Sequence, residues 1–264
     1  MKRSVKGLLG HGLFATRLDA LLLRNSAVVV TFHRVQEGDP SDSLTVDAAA
    51  FEGHCRFFRR HFRVVPLREL VHRLEQGQPI NRHLAITFDD GYRDNFDIAR
   101  PVLEKLSLPA TFFVVTDWMG SDVVPQWDRE RGVRHPWMTW DEVRSLHRRG
   151  FEVGAHTRSH ADLGAVSPAE ARAEVVGARL ELEAQLGARV ESFAYPYGGR
   201  SHVTEANRDV VKSAGFRCCC SSFGGTNPAG TDPFFLRRVP VSPWYESPHQ
   251  FGLEVALGRT LLSA

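Results

Sequence analysis

The sequence predicts an α/β protein whose parallel strands form an incomplete barrel of seven strands. Short apolar runs recur along the chain, and amphipathic stretches with helical spacing separate most of them. The predicted strands are residues 27–33, 84–88, 110–115, 151–155, 192–195, 216–220 and 236–241. A chain of 264 residues, of which 42% are hydrophobic and 24% charged, can fill one sizeable core. We therefore expect one domain over residues 25–264.

The predicted helices are recognised by apolar periodicity and by residues that favour helix ends. Ser167 can cap a helix that starts at Pro168, and Gly187 is typical of its end. Asp141 and Glu142 put negative charge where a helix amino terminus favours it. The predicted helices are residues 48–61, 67–76, 96–106, 140–149, 168–186 and 203–213.

Residues 1–24 are predicted to be a separate amphipathic helical segment. Its basic residues Lys2, Arg3 and Lys6 lie beside an apolar face. The apolar positions of that face are Val5, Leu8, Leu9, Leu13, Leu21 and Leu22. The segment would cover one end of the barrel, with peripheral contact to a membrane surface as the alternative.

Composition and cysteine usage limit the classes of binding partner and the cellular compartment that we expect. A net charge of +2 and dispersed arginines do not indicate nucleic acid binding, and no protein partner is indicated. Cys218, Cys219 and Cys220 are consecutive, a poor geometry for disulfides, so we expect small packing residues in a reducing compartment. We recognise no signal peptide and no apolar run near the ~20 residues of a membrane span. We therefore expect a cytoplasmic protein, with the inner membrane surface as the alternative.

The connection between residues 117 and 139 is long and rich in tryptophan. It carries Trp118, Trp127 and Trp137. Long loops are usually functional or disordered, and this one is too aromatic for disorder. Its rings could stack on sugars or anchor the loop to the barrel, and both interpretations stay open.

Two segments that follow predicted strands supply a candidate metal site and a base. Asp89 and Asp90 follow the strand at 84–88, and His156 and His160 follow the strand at 151–155. Side chains at the carboxyl ends of parallel strands meet at one rim. One Asp and two His are ligands that zinc favours, with a position open for water, and the second Asp is left as a base. Taken singly, each segment could be an ordinary turn or a chance pair.

The order of three motifs resembles the polysaccharide deacetylases, the NodB-homology family or carbohydrate esterase family 4. The motifs are Thr-Phe-Asp-Asp-Gly at 87–91, His-x-x-x-His at 156–160 and Phe-Ala-Tyr-Pro-Tyr-Gly at 193–198. The resemblance implies a distorted barrel of the NodB type, one divalent metal ion and removal of acetyl groups from N-acetylated amino sugars. Zinc is the expected ion, and cobalt and nickel are alternatives.

The same resemblance implies a role for each motif residue. Asp90, His156 and His160 would bind the metal, and Asp89 would be the general base. The backbone N–H of Tyr197 would face the oxyanion.

Two departures from the family pattern point to substitute residues. The late Leu-x-His motif is absent, but His33 ends the first strand, as in the circularly permuted branch that acts on exopolysaccharides such as poly-N-acetylglucosamine. We interpret His33 as the general acid, with a simple strand-end residue as the alternative. Ala194 stands where most members carry an Arg that orients the base, and Arg238 on the last strand is the candidate substitute.

These residues predict a metal-dependent hydrolase that removes N-acetyl groups from a glycan substrate. Two alternatives remain at this stage. One is a glycan-binding module without turnover, and the other is a hydrolase of a non-sugar C–N bond.

Overall fold

The computed structural model describes residues 3–38, 40 and 42–258. Its strands are β1 Ser26–Phe32, β2 Arg34–Gln36, β3 Thr45–Asp47, β4 Arg63–Val64, β5 His83–Phe88, β6 Thr111–Val114, β7 Glu152–Ala155, β8 Ser192–Ala194, β9 Cys218–Cys220, β10 Asn227–Pro228 and β11 Val239–Pro240. Its α-helices are α1 Arg3–Ala15, α2 Asp19–Leu22, α3 Ala48–His61, α4 Leu67–Glu75, α5 Arg100–Leu106, α6 Gln126–Arg129, α7 Trp140–Arg148, α8 Pro168–Leu186, α9 Glu205–Ser213 and α10 Pro248–Ala256.

The main sheet is a curled, incomplete barrel. Its strand order is β10-β1-β5-β6-β7-β8-β9, and the neighbours from β1 to β9 are parallel. The chain after β9 links the two ends of the parallel set β1 to β9, because Leu236 bridges to Cys220 and β11 pairs with β1. The predicted α/β barrel of seven strands is confirmed, with the last predicted strand reduced to two residues.

Local sequence signals account for the best-predicted helices. The helices α3 and α8 have the predicted limits. The side chain of Ser167 accepts a hydrogen bond from the Glu170 backbone N–H, and the Ser167 backbone N–H donates to the Glu170 carboxylate. Gly187 ends α8 with a φ of 63°. The predicted helix at 96–106 is instead divided into a π-helical turn, Asn95–Ala99, and α5.

Two apolar layers lie on opposite faces of the sheet. The larger layer packs most of the helices against one face of the sheet. The smaller layer packs α4 against the other face through Leu70 and Val71. Cys218 and Cys220 belong to the smaller layer and Cys219 to the larger, as alternation along a strand requires. All four cysteines are buried free thiols, which confirms the packing role predicted for Cys218, Cys219 and Cys220.

The amino-terminal segment forms α1 and α2, and α1 packs against α10. Within the part of the chain that the structure describes, no helix is long and apolar enough to cross a membrane. Lys2 lies outside the described residues.

Candidate active site

The two neighbouring aspartates occupy the turn that leaves β5. The Asp89 N–H donates to the Phe32 carbonyl at 2.9 Å, so Asp89 remains attached to β1. Asp90 then adopts a φ of 73° and Gly91 one of 88°, which turns the chain away from the sheet. A Cβ at Gly91 would lie 2.6 Å from the Met119 methyl group, so this position needs glycine. The turn points two adjacent carboxylates in different directions.

Asp90 lies beside the two histidines of the second motif. One ligand atom each from Asp90, His156 and His160 falls within 4.8 Å of the others, and all three residues are buried. The Nε2 atoms of His156 and His160 lie 3.3 and 3.4 Å from Asp90 Oδ1. Neither contact has hydrogen-bond geometry, and Asp90 Oδ1 is left buried without a partner. Because an unpaired buried carboxylate oxygen is costly, this atom and the two nitrogens fit a divalent cation.

A backbone contact selects the tautomer of His156. Its Nδ1 lies 2.8 Å from the Ala194 carbonyl, which can only accept, so Nδ1 carries the proton. The Nε2 lone pair is therefore free to face Asp90. Ala194 thus supports the site through its backbone carbonyl.

The tryptophans of the long loop pack behind His160. Trp118 stacks on the His160 ring at 5.1 Å, and Trp127 meets the same ring edge-on at 5.1 Å. Trp137 stacks on Tyr92 at 4.4 Å and donates to the Val123 carbonyl. Trp118 and Trp137 are buried, so these two rings anchor the loop, as one of the two interpretations predicted.

Charge in the pocket favours an ionised Asp90. Burial opposes ionisation, but His156 and His160 outweigh it and hold the pKa of Asp90 well below its usual value. Burial also lowers the pKa of His160. Burial acts in the same sense on His156, but Asp89 and Asp90 reverse it and raise the pKa of His156.

Asp89 lies in a different environment, because an arginine pairs with both of its oxygens. Arg238 Nη1 and Nη2 each donate to Asp89 at 2.7 Å, and Arg238 has no exposed surface. Its Nε donates to the Ser221 carbonyl at 3.0 Å. Burial alone would raise the pKa of Asp89, but Arg238 lowers it below the usual value. The structure therefore places Arg238, the arginine proposed as the substitute, in direct contact with Asp89, the proposed base.

His33 belongs to the same cluster. Phe32 pairs with Phe88 across β1 and β5, so His33 lies opposite Asp89 at the next position. It is close enough to contribute to the lowered pKa values of Asp89 and Asp90. The ring is half-buried, which leaves it accessible from the rim.

Tyr197 lies on the rim above His160. It adopts a φ of 61°, and its half-exposed ring meets the His160 ring edge-on at 4.9 Å. The Ser222 N–H donates to the Gly198 carbonyl at 2.8 Å and holds the turn. In residues 3–38, 40 and 42–258, no acceptor is found for the Tyr197 backbone N–H.

Sequence reasoning missed two features beside the site. Arg34 is fully buried and joins two loops, because it donates to Asp42 at 2.6 Å and to Asp128 at 2.8 Å. The available signal was a charged residue within an apolar run next to His33. The second feature is His202, which pairs with Asp162 at 2.8 Å and meets the Tyr197 ring at 5.3 Å.

Comparison with known proteins identifies the family. The sequence profile named Polysaccharide deacetylase matches residues 76–219, more than half of the chain. The chain belongs to the polysaccharide deacetylase family. The matched region contains Asp89, Asp90, His156, His160 and Tyr197, whereas His33 and Arg238 lie outside it.

Individual polysaccharide deacetylases resemble the chain over most of its length. A poly-β-1,6-N-acetyl-D-glucosamine N-deacetylase of Staphylococcus aureus (strain MSSA476) is 21% identical over 241 residues, which cover 83% of this chain and 79% of that protein. The Streptococcus pyogenes deacetylase PplD in complex with acetate superposes with a TM-score of 0.73 at 20% identity, covering 88% and 98% of the two chains. IcaB from Ammonifex degensii superposes with a TM-score of 0.73 at 22% identity, covering 90% of this chain and 98% of that chain. These structures confirm the predicted fold.

Proposed function

We propose that this member of the polysaccharide deacetylase family is a metal-dependent N-deacetylase. One observation supports the proposal: the two neighbouring carboxylates have different partners. Both oxygens of Asp89 accept hydrogen bonds from Arg238, whereas Asp90 has an oxygen without a hydrogen-bond partner beside His156 and His160. A hydrolase of this kind needs a base that stays ionised and a separate ligand set for a cation. The two aspartates supply one function each.

The Asp90, His156 and His160 side chains would hold the ion. When bound, a divalent cation acts as a Lewis acid and lowers the pKa of water. Zinc fits the nitrogen and oxygen donors, and cobalt or nickel are the alternatives for the same set.

The remaining side chains would move the protons of the reaction. Asp89, kept ionised by Arg238, takes a proton from the water whose oxygen attacks the acetamide carbonyl carbon. The Tyr197 backbone N–H donates to the oxygen that becomes negatively charged. His33 gives a proton to the nitrogen as the C–N bond breaks, and the products are acetate and a free amine.

We propose a polymer of N-acetylglucosamine as the substrate. The Staphylococcus aureus relative is named for the β-1,6-linked polymer, and the half-exposed Tyr197 leaves the rim of this site open to a long ligand. A glycan-binding module would need neither the Arg238–Asp89 pair nor the fixed His156 tautomer. A hydrolase of another C–N bond would share the site but not the substrate.

Acetate release tests the proposal. The zinc-loaded protein is incubated with β-1,6-linked N-acetylglucosamine oligomers, and acetate is measured enzymatically. We expect steady release that stops after chelation and returns with zinc, cobalt or nickel. Zinc binding without acetate release would favour the binding module. Hydrolysis of ring amides or other non-sugar amides, without acetate release from the oligomers, would show that the substrate class is wrong.

A further inference from the structure

An apolar patch lies on the surface of the two amino-terminal helices. It consists of the exposed side chains Val5, Leu8, Leu9, Leu18, Leu21 and Leu22, called here the N-terminal patch. These are six of the twelve large hydrophobic side chains that are exposed among the described residues, and Leu8 and Leu21 are 75% and 68% exposed. A cluster of this kind on a protein surface usually marks an interaction site.

The packing of α1 explains why its leucines face outward. A Cβ at Gly10 would clash with the carbonyl of His249, so the backbone of α1 lies directly against α10. Lys6 forms an ion pair with Glu254 at 2.7 Å, and the Phe14 ring meets Phe57 edge-on at 4.8 Å. The helix is therefore fixed with its glycine face inward. Rotation that buried Leu8 would break all of these contacts.

The segment packs on the rest of the chain, but not through most of the apolar positions that the sequence suggested. Of the predicted apolar positions, only Leu13 packs against the core. Val5, Leu8, Leu9, Leu21 and Leu22 are exposed. The glycines allow the close approach that the leucines were expected to make.

The exposed charged side chains of residues 4–25 are of one sign. Arg17 and Arg24 are exposed, and neither has an ion-pair partner in the described part of the chain. Asp19 is the acidic residue of residues 3–25, but it is buried and paired with Arg82 at 2.9 Å. The surface therefore combines exposed leucines with uncompensated positive charge.

We propose that the N-terminal patch binds the surface of an anionic lipid bilayer. Leucines entering the interface and arginines beside anionic head groups would both contribute. A second copy of the chain fits less well, because a symmetric contact would bring two surfaces of the same positive charge together. This inference goes beyond the proposed deacetylase activity and does not depend on it.

The patch and the catalytic rim lie at different ends of the sheet. Arg82 and Asn81 precede β5 and hold Asp19 and Asn25 at the amino ends of the strands. Asp89 follows the carboxyl end of the same strand. A bilayer on the patch would leave the catalytic rim open to solvent.

Vesicle co-sedimentation of the full chain tests the proposal. Phosphatidylcholine vesicles with and without phosphatidylglycerol are compared at low and high salt. We expect binding to the anionic vesicles only, weakened by salt. Leu8→Ser with Leu9→Ser should reduce the partition coefficient at least about tenfold, because burial of one leucine side chain alone contributes about that factor. Arg17→Glu with Arg24→Glu should reduce it similarly.

A matched control lies on the exposed surface of α8. Leu180→Ser with Arg172→Glu removes the same residue types elsewhere and should leave binding unchanged. Circular dichroism and sedimentation velocity accompany each variant.

Equal binding to neutral vesicles, no binding at all, or equal losses in the control would overturn the proposal. So would a dimer without lipid that dissociates in the Leu8→Ser, Leu9→Ser variant. Acetate release is measured separately, so failure here would leave the deacetylase proposal standing.

Discussion

Asp89 and Asp90 are adjacent and equally buried, but their surroundings differ. Both oxygens of Asp89 accept hydrogen bonds from Arg238. Asp90 presents one oxygen without a hydrogen-bond partner to His156 and His160. The largest contribution that lowers the pKa comes from Arg238 for Asp89 and from His156 and His160 for Asp90. The contrast indicates that two chemically identical side chains have different roles.

Removing the proton acceptor should have the largest effect on turnover. Asp89→Asn keeps the shape but cannot take the proton of water, so kcat should fall about 10²–10⁴-fold. Acetate release under saturating substrate measures it. The matched control is Asp117→Asn, an exposed aspartate on the same side of the sheet, for which we expect less than a twofold change. A comparable loss in both variants would break the contrast.

The proton donor should show the next largest effect. His33→Ala should lower kcat about 10²-fold, because the departing nitrogen then lacks a positioned acid. His202→Ala is the matched comparison, since His202 meets the Tyr197 ring and pairs with Asp162. If His202→Ala lost more activity than His33→Ala, His33 would not be the acid.

The effect of replacing Arg238 on activity should be smaller and should depend on pH. Arg238 lowers the pKa of Asp89, so Arg238→Gln should raise that pKa, and a base must be ionised to act. The acid limb of the pH profile should therefore move to higher pH. The loss of kcat/KM should be largest at acidic pH and smaller at neutral pH, where more of Asp89 stays ionised.

The exposed neighbour Arg237 supplies the control for this experiment. Arg237→Gln should leave both the profile and kcat/KM unchanged. An unshifted acid limb in Arg238→Gln would mean that Arg238 does not set the ionisation of Asp89.

The sequence was most informative where chemistry and local structure coincide. The motifs at 87–91 and 156–160 follow apolar runs that are strands in the structure, so their meeting at one rim could be foreseen. Ser167 and Gly187 marked the ends of α8 for the same local reason. The limits of such elements depend on neighbouring residues alone.

Contacts between distant residues could not be foreseen. Arg34 meets Asp128 across 94 positions, and no periodicity indicates that pair. The strands β2 and β3 are three residues long each and carry too little pattern to recognise. In α1 the apolar face was evident, but which face packs depends on the close approach at Gly10.

Zinc titration of Asp89→Asn and Asp90→Asn most directly tests the division of labour. The substitution is identical and the positions are adjacent, so calorimetry compares only their surroundings, with circular dichroism to check folding. We expect Asp89→Asn to bind zinc within about threefold of the unsubstituted protein and Asp90→Asn to bind at least about 100-fold more weakly, since Asp90 would be a direct ligand. Equal weakening in the two variants would contradict the account.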